Sequence, residues 1–281
     1  MNRLKTLLRL PLRWRAGYEQ RTLARTQRDE LAICAIFREE APFLEEWLSF
    51  HRGIGATHFY LYNNFSTDEF RRVLAPWIER GIVTLHDWPR RVGQVSAYRH
   101  CVRHYRRAAR WIAFLDLDEF LYSPERVDIR PILREYENHP GLIVHGLFFG
   151  AAGHEMRPPG SLLEAFTRRA PWETALSGKT IANPRMIQAL RSPHAFKYWT
   201  GEAVDTLRRP LSEGQRPPVF DRLRFNHYWS RSRADLRTKV ARGDASTAQA
   251  RDLAWHLDYE AQLNAEEDRT ILPIATRIRA S

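Results

Sequence analysis

Two carboxylates separated by one residue, Asp116 and Asp118, follow an apolar run in the middle of the chain. The run, Trp111–Leu115, has the pattern of a buried β-strand, and residues two apart in an extended backbone point to the same side. Neighbouring carboxylates repel each other unless a cation or a shared proton lies between them. Divalent ions such as Mn²⁺ or Mg²⁺ bind such oxygen ligands, especially when a phosphate completes the coordination shell. The pair therefore predicts a metal site, although acidic residues also occur at solvated strand ends.

The elements that would position this pair are predicted from hydrophobic periodicity. Strand patterns alternate with helical patterns through the first half, which indicates βαβ units in a largely parallel sheet. Ser66 and Glu69 have the spacing of a capping box at the start of the second helix. Ligands bind such sheets beyond the carboxyl ends of the strands. The predicted strands are Leu31–Phe37, Thr57–Tyr62, Gly81–His86 and Trp111–Leu115, and the helices are Pro42–His51, the helix after Ser66, and Gln94–Ala109.

The second half of the sequence is less regular. Residues 150–220 are rich in Pro and Gly and show no clear period. Together with the first half, this pattern predicts one continuous α/β domain over residues 29–281, with a Rossmann-like first part. The elements predicted in this half are strands at Gly141–Phe149 and Leu223–Tyr228, and helices at Ser232–Arg242 and Ala250–Leu263.

Positive charge is concentrated at the start of the chain. The formal net charge is +11, and residues 1–28 hold eight basic residues against Glu19, which leaves +4 for the rest. Leucines and Trp14 accompany the basic residues, so this segment is either a contact with an anionic membrane surface or a disordered basic leader. A sequence pI of 10.1 also suggests a nucleic-acid-binding module. The rest of the chain, residues 29–281, is called the body here. Its nearly neutral charge argues against that alternative, and we expect no nucleic-acid partner.

Several other classes are excluded by composition. Cys34 and Cys101 are the two cysteines, too few for a disulfide framework or a cysteine-based zinc site. The sequence has no apolar run of about 18 residues, so it predicts no membrane-spanning helix. It also lacks a Walker loop and a dinucleotide-binding glycine motif. We therefore expect a cytoplasmic protein, either free or peripheral on the inner face of the membrane.

The order of several motifs resembles glycosyltransferase family 92 and its bacterial relatives grouped with family 2. The resemblance runs from about residue 31 to the C-terminus, and the ordered set is far more specific than any one motif. The segments that carry it are Ala35–Glu40 with Leu44–Trp47, Tyr62–Asp68, Gln94 with Ala97, Tyr98 and Cys101, Asp116–Phe120, Phe149–His154, Lys179–Pro184, and Asn226–Gly243.

This resemblance implies a GT-A fold in a single domain, with a mixed central sheet and an irregular acceptor-side half. It implies metal-dependent transfer of a sugar from a UDP- or GDP-sugar to a glycan or glycolipid acceptor, with inversion, in cell-surface glycan or glycolipid assembly. Mn²⁺ or Mg²⁺ would be the cofactor, with Asp118 as direct ligand, Asp116 contacting ribose or metal, and His227 completing the shell. A core histidine beside Tyr228 is the alternative for His227.

The ends of the earlier strands indicate the donor-binding residues, whereas nothing in the spacing selects the catalytic base among His154, Glu155, Glu164, Glu202 and Asp205. Asn64 and Asp68 have an alternative role in turn and cap chemistry, and Lys239 and Arg242 could instead form the solvated face of a helix. An inverting transfer needs one base near the acceptor hydroxyl, for which we select His154 and Glu202. The predicted donor-binding residues are Arg38, Glu39, Asn64, Asp68, Gln94, Tyr98, Asp116, Lys239 and Arg242.

A catalytically silent relative acting as a membrane-surface scaffold is a third functional hypothesis. The intact Asp116 and Asp118 argue against it but leave it open as an alternative.

Overall fold

The computed structural model describes residues 29–174, 178–210, 212, 217–243 and 252–281. The basic segment 1–28 lies outside the described residues, so its assignment stays a prediction. Within the described ranges, no helix is long and apolar enough to cross a bilayer.

One mixed sheet of eight strands organises the fold, in the order β3-β2-β1-β4-β8-β6-β11-β5. The first four strands are parallel, which confirms the βαβ prediction for the first half. Strand β8 then runs antiparallel to both β4 and β6, while β11 is parallel to β6 and antiparallel to β5. The strands are β1 Asp29–Phe37, β2 His58–Asn63, β3 Val83–Asp87, β4 Ala109–Phe114, β5 Glu119–Tyr122, β6 Gly141–Phe148, β8 Gly178–Ala182 and β11 Arg224–His227.

Helices cover both faces of this sheet, and two smaller strand pairs lie outside it. The pairs join β7 (Arg168–Arg169) with β12 (Glu266–Glu267), and β9 (Ile187–Leu190) with β10 (Phe196–Tyr198). The helices are α1 Ala41–Gly53, α2 Phe70–Glu79, α3 Gln94–Tyr105, α4 Arg130–Arg134, α5 Leu162–Ala165, α6 Arg233–Arg242, α7 Leu253–Gln262 and α8 Leu272–Arg279.

Strand β1 shows why its run of apolar residues is continuous. Leu31, Ile33 and Ala35 belong to one core cluster, whereas Ala32 and Cys34 belong to a second cluster on the other face. A strand buried on both faces needs apolar residues at every position rather than at alternate ones. The β1 sequence therefore places it in the middle of the parallel part of the sheet, where the structure has it.

Three details of the sequence-based prediction are wrong. The capping box does not form, because Ser66 Oγ accepts a hydrogen bond from the Glu39 amide instead (2.9 Å) and α2 begins at Phe70. Helix α3 ends at Tyr105 rather than residue 109, because strand β4 already begins at Ala109. Residues 150–220 are not uniformly irregular, since β8 from this region is a central strand.

We expect Gly146→Ala to destabilise the fold by about 1–3 kcal/mol through overpacking. Gly146 on β6 pairs with Phe225 on β11, and a methyl group there would lie 2.1 Å from the Phe225 ring. Urea unfolding measures the effect. Gln188→Ala on the exposed side of β9 is the control and should leave the midpoint within error; an unchanged midpoint for Gly146→Ala contradicts the prediction.

Candidate active site

Asp116 lies just beyond the carboxyl end of β4 and is fixed by partners from two other elements. Its Oδ1 accepts from Gln94 Nε2 at the start of α3 (2.8 Å), and its Oδ2 lies 2.6 Å from Lys179 Nζ on β8. Its backbone amide donates to Glu119 (3.0 Å), and about a third of its side chain is exposed. Asp116 is thus held rigidly at the floor of a cleft with both oxygens already engaged.

Asp118 faces the same cleft but is more deeply buried. Its Oδ2 lies 2.5 Å from Lys239 Nζ and 3.3 Å from His227 Nε2. Burial by itself raises the pKa of this carboxyl, but the interactions with Lys239, His227 and Arg231 together outweigh that effect and hold the pKa well below its usual range. Asp118 is therefore ionised near neutral pH and carries a negative charge aimed at the cleft.

Glu119 is buried directly behind the two aspartates. Its Oε2 lies 3.1 Å from Lys179 Nζ, so this lysine bridges Asp116 and Glu119. Its Oε1 lies 3.6 Å from His227 Nδ1. Burial raises the pKa of Glu119 to about 7, against the opposing charge of Lys179. A protonated Glu119 has an O–H that can donate a hydrogen bond to a neighbouring acceptor.

Three cavities meet around these residues. The cleft that holds Asp116, Asp118 and His227 has a volume of about 280 Å³. A neighbouring cleft of about 460 Å³ shares Trp229, Lys239 and Arg242 with it. A third cavity of about 410 Å³ meets it at His194. The acidic pair therefore lies in the middle one of three adjoining cavities, which together leave room for more than one ligand.

The turn between β1 and α1 ties the C-terminal part of the chain to this site. Glu40 is buried between Arg231 (2.6 Å) and Arg242 (2.5 Å). Arg38 Nη1 in turn donates to the Arg242 carbonyl (2.8 Å). Arg231 also stacks on the Phe43 ring, with its guanidinium carbon 3.5 Å from the ring centroid. These contacts fix the start of α1 and the end of α6 on the same wall of the cleft.

Most predicted donor-binding residues converge on the clefts. Glu39 and Asp68 line the larger cleft instead of the one that holds Asp116. Asp68 also accepts from the Ala41 amide (2.8 Å), which is the cap-type role. Asn64 donates to the carbonyls of residues 88 and 90 (2.9 Å each), which is the turn-type role. The predicted residues that line the smaller cleft are Arg38, Asn64, Gln94, Asp116, Lys239 and Arg242.

Tyr98 differs from the other predicted donor-binding residues because it is fully buried. Its hydroxyl lies 3.3 Å from Gln94 Nε2 and packs beneath the cleft rather than within it. A direct donor contact by Tyr98 therefore does not fit this structure. Its place in the core lets it support Gln94 instead.

Neither predicted base lines the cleft that holds the acidic pair. His154 lies in the turn after β6, where its ring packs edge-on against Phe166 with centroids 5.6 Å apart. Glu202 lines the third cavity and accepts from the Ser212 hydroxyl (2.8 Å). The distances of His154 and Glu202 from the acidic pair depend on packing between elements that are far apart in the sequence. The spacing of residues in the sequence therefore could not show whether either side chain lies near the pair.

The sequence did not indicate the role of two residues at this site, Lys179 and His194. Lys179 belongs to one of the family motifs, but nothing in its local pattern shows that its ammonium group lies between the carboxylates of Asp116 and Glu119. His194 lies in a turn between β9 and β10 and shows no pattern at all. Its Nδ1 lies 3.2 Å from the Gly178 carbonyl, so Nδ1 donates and Nε2 is left as an acceptor.

Asp118 and His227 are the side chains of this site that would hold a divalent cation shared with a phosphate. Across the described ranges, no group of three or more His, Cys, Asp or Glu side chains is placed to hold a metal ion. Asp118 and His227 nevertheless supply two converging donors, and the Lys239 ammonium already lies against Asp118 as a cation would. Such ions commonly take one or two carboxylates and complete their shell with substrate phosphates and water. Asp116 has both oxygens engaged, which favours its donor-contact role over direct ligation.

The sequence is similar to known glycosyltransferases. The profile described as Glycosyltransferase family 92 matches residues 29–216. A Glycosyltransferase family 92 protein of Oryza sativa subsp. japonica is 30% identical over 151 residues, covering 52% of this chain and 26% of its own length. A galactan beta-1,4-galactosyltransferase of Arabidopsis thaliana is 36% identical over 107 residues, covering 34% and 20%. This chain thus spans about a quarter of the length of these relatives or less.

Among solved structures, the crystal structure of S. aureus TarS 1–349 aligns with a TM-score of 0.39 and 10% sequence identity. The alignment covers 56% of this chain and 48% of that one.

We expect the stability of the protein to fall as pH rises from about 4.5 to 7, because native Glu119 binds a proton that the unfolded chain has released. The decrease attributable to Glu119 is up to about 3 kcal/mol. Urea unfolding at pH 5 and pH 7.5 measures it, and Glu119→Gln should flatten the dependence. Exposed Glu173→Gln is the control; equal slopes in wild type and Glu119→Gln contradict the prediction.

Proposed function

The chain belongs to glycosyltransferase family 92, and we propose that it transfers a sugar from a nucleoside diphosphate sugar to an acceptor hydroxyl. The family match confirms the family expected from the ordered motifs, and the mixed eight-stranded sheet agrees with the α/β fold class expected with it. The observation that carries the proposed mechanism is the cluster of Asp118, His227 and Lys239 at the floor of the cleft.

Charge on the departing diphosphate is the main electrostatic demand of this reaction. A cation placed where that charge develops stabilises the transition state more than the ground state. Lys239 supplies one such cation, held by Asp118 and by the Trp229 carbonyl (2.8 Å). A Mn²⁺ or Mg²⁺ ion held by Asp118 and His227 would supply Lewis-acid stabilisation of the leaving group.

The nucleoside part of the donor fits the strand ends on the α3 side of the cleft. Asp116 can accept a ribose hydroxyl while Gln94 and Lys179 keep its orientation fixed. Arg38 and Asn64 line the same side and close the cleft around the nucleoside. In the proposed binding mode the diphosphate lies over Asp118 and the sugar faces His194.

The proposed transfer is inverting. Glu40, Asp116 and Asp118 each contact an arginine or lysine of this chain, so their oxygens are occupied by these cations rather than free to attack the donor sugar. A single displacement needs one base at the acceptor hydroxyl. We assign this role to His194, because it lines both the donor cleft and the third cavity. Desolvation by the surrounding protein and the nearby positive charge of Lys179 lower the pKa of His194, which favours a neutral imidazole near pH 7.

The third cavity is then the acceptor side, and its occupant is a glycan or glycolipid. The name of the Arabidopsis relatives, galactan beta-1,4-galactosyltransferase, makes a galactosyl donor the first to test. Assembly of a cell-surface glycan at the cytoplasmic face of a membrane, with residues 1–28 as a peripheral contact, suits a cytosolic supply of activated sugars.

A donor screen tests the function directly. Thermal unfolding is measured with UDP- and GDP-sugars, each with Mn²⁺, with Mg²⁺ and with chelator, because a ligand that binds the native state raises apparent stability. We expect a shift with one nucleotide class and a larger shift with metal present. NMR of the product gives its anomeric configuration, which tests whether the transfer proceeds with inversion. The absence of any shift or turnover across the screen contradicts the proposal.

We expect Asp118→Asn to lower kcat at least about 100-fold, because the variant loses the charge that positions the cation at the leaving group. Steady-state donor hydrolysis or transfer measures the effect, and far-UV circular dichroism checks the fold. Exposed Asp221→Asn is the matched control and should retain full activity. Turnover of Asp118→Asn within threefold of wild type contradicts the assignment.

We expect His194→Gln to lower kcat about 100-fold or more with little change in donor KM, since general base catalysis contributes that much. The wild-type rate should rise as the pH increases through the lowered pKa of His194. The pH–rate profile of the variant should lack this rise. Glu202→Gln in the same cavity separates the two candidate bases. A large kcat loss in Glu202→Gln with a near-normal His194→Gln reverses the assignment.

A further inference from the structure

Positive charge in the body of the protein is concentrated in two segments that lack acidic residues. Residues 88–115 contain seven arginines and no Asp or Glu, and residues 174–201 contain two arginines and two lysines and no Asp or Glu. Together these segments carry +11, whereas the whole of residues 29–281 carries +4. The rest of residues 29–281 is therefore net negative. The small total charge of this part of the chain is the sum of a strongly positive region and a negative remainder.

The fold brings these two segments side by side. Arg99 on α3 donates to the Leu190 carbonyl at the end of β9 (2.9 Å), and Arg106 donates to the Arg185 carbonyl (3.0 Å). Phe196 on β10 packs against Phe114 on β4, within the core cluster that also buries α3. Helix α3 and the β9–β10 hairpin thus form one continuous surface.

The cations on this surface point outwards. Helix α3 buries Ala97, Tyr98 and Cys101 against the sheet and turns the opposite face to solvent. That face and the segments before and after it expose Arg90, Arg91, Arg99, Arg103 and Arg107.

The β9–β10 hairpin extends the same surface with exposed Arg191 and Lys197. We call these seven residues the basic face. Within the described ranges, none of them forms an ion pair with a carboxylate, although the ion pairs elsewhere in the body are numerous.

Two exposed apolar side chains lie in the segments that carry these cations. Trp199 follows β10 and is 51% exposed, and Val92, also 51% exposed, precedes α3 directly after Arg91. Tryptophan is favoured at the headgroup level of membranes, and basic residues with nearby apolar groups are typical of surfaces that lie on anionic bilayers.

We propose that the basic face docks on an anionic phospholipid membrane. The proposal goes beyond the glycosyltransferase function and does not depend on residues 1–28. Arg191 and Lys197 also line the third cavity, so docking brings the mouth of that cavity close to the headgroups. A lipid-linked acceptor then needs to extend only a short distance from the membrane to reach His194.

Vesicle co-sedimentation of the full chain tests this docking. Wild type should bind phosphatidylcholine vesicles that contain phosphatidylglycerol, bind pure phosphatidylcholine vesicles much more weakly, and dissociate at high salt. Each basic residue near an anionic surface contributes about fivefold to the binding constant, so Arg91→Gln/Arg103→Gln/Arg107→Gln should bind roughly 100-fold more weakly. Donor hydrolysis by this variant should match wild type.

The matched control, Arg80→Gln/Arg126→Gln/Arg277→Gln, removes the same charge from exposed positions outside the basic face and should bind within about threefold of wild type. Trp199→Ser should weaken vesicle binding at least fivefold, whereas Trp172→Ser, at a residue 44% exposed elsewhere, should not.

Equal losses in the two triple variants, or no preference of wild type for anionic vesicles, overturn the proposal. Tighter binding to RNA than to anionic vesicles, with the same dependence on the basic face, also overturns it. Because vesicle binding and donor hydrolysis are separate measurements, failure of one leaves the other interpretable.

Discussion

The pairing of buried carboxylates with lysines is the constraint on which the site depends. Asp118 is buried and Asp116 is about one-third exposed, and each is compensated by a lysine from a distant element, Asp116 by Lys179 on β8 and Asp118 by Lys239 on α6. Removal of one partner from a buried pair leaves an uncompensated charge, which costs about 3–5 kcal/mol. The positions of β8 and α6 relative to β4 are therefore fixed by electrostatics as well as by packing.

The change of strand direction in the sheet explains why the site forms at this place. The parallel half ends at β4, and antiparallel β8 follows it directly. Because β8 runs in the opposite direction, its first residues lie at the carboxyl end of β4, which puts Lys179 beside Asp116. A parallel strand in that place would present its last residues there, and its amino end would lie on the far side of the sheet. The mixed topology thus delivers a cation to the acidic pair.

Most of the parallel half could be predicted from sequence, because a strand buried on both faces has an unmistakable apolar run. Strand β8 could not, since it is five residues long and carries the charged Lys179. The acidic pair was found because its spacing is local. Tyr98 was predicted to contact the donor, but it lies one helical turn after Gln94 on the same face of α3. One turn is enough to place the Gln94 side chain in the cleft and the Tyr98 side chain in the core beneath it. His194 depends on the β9–β10 hairpin, which has no local signal.

The two populations of cations in this protein suit two different phosphates. Lys179 and Lys239 are buried and paired with carboxylates, so they are held in fixed positions where charge on a departing diphosphate must be stabilised. The cations of the basic face are exposed and free of carboxylate partners within the described ranges, so they retain their hydration and act through the summed field. Rigid, paired charges select one small ligand in one orientation, whereas an exposed layer of cations without carboxylate partners attracts an extended anionic surface. Under the two proposals, the buried lysines meet the donor and the basic face meets the membrane that carries the acceptor.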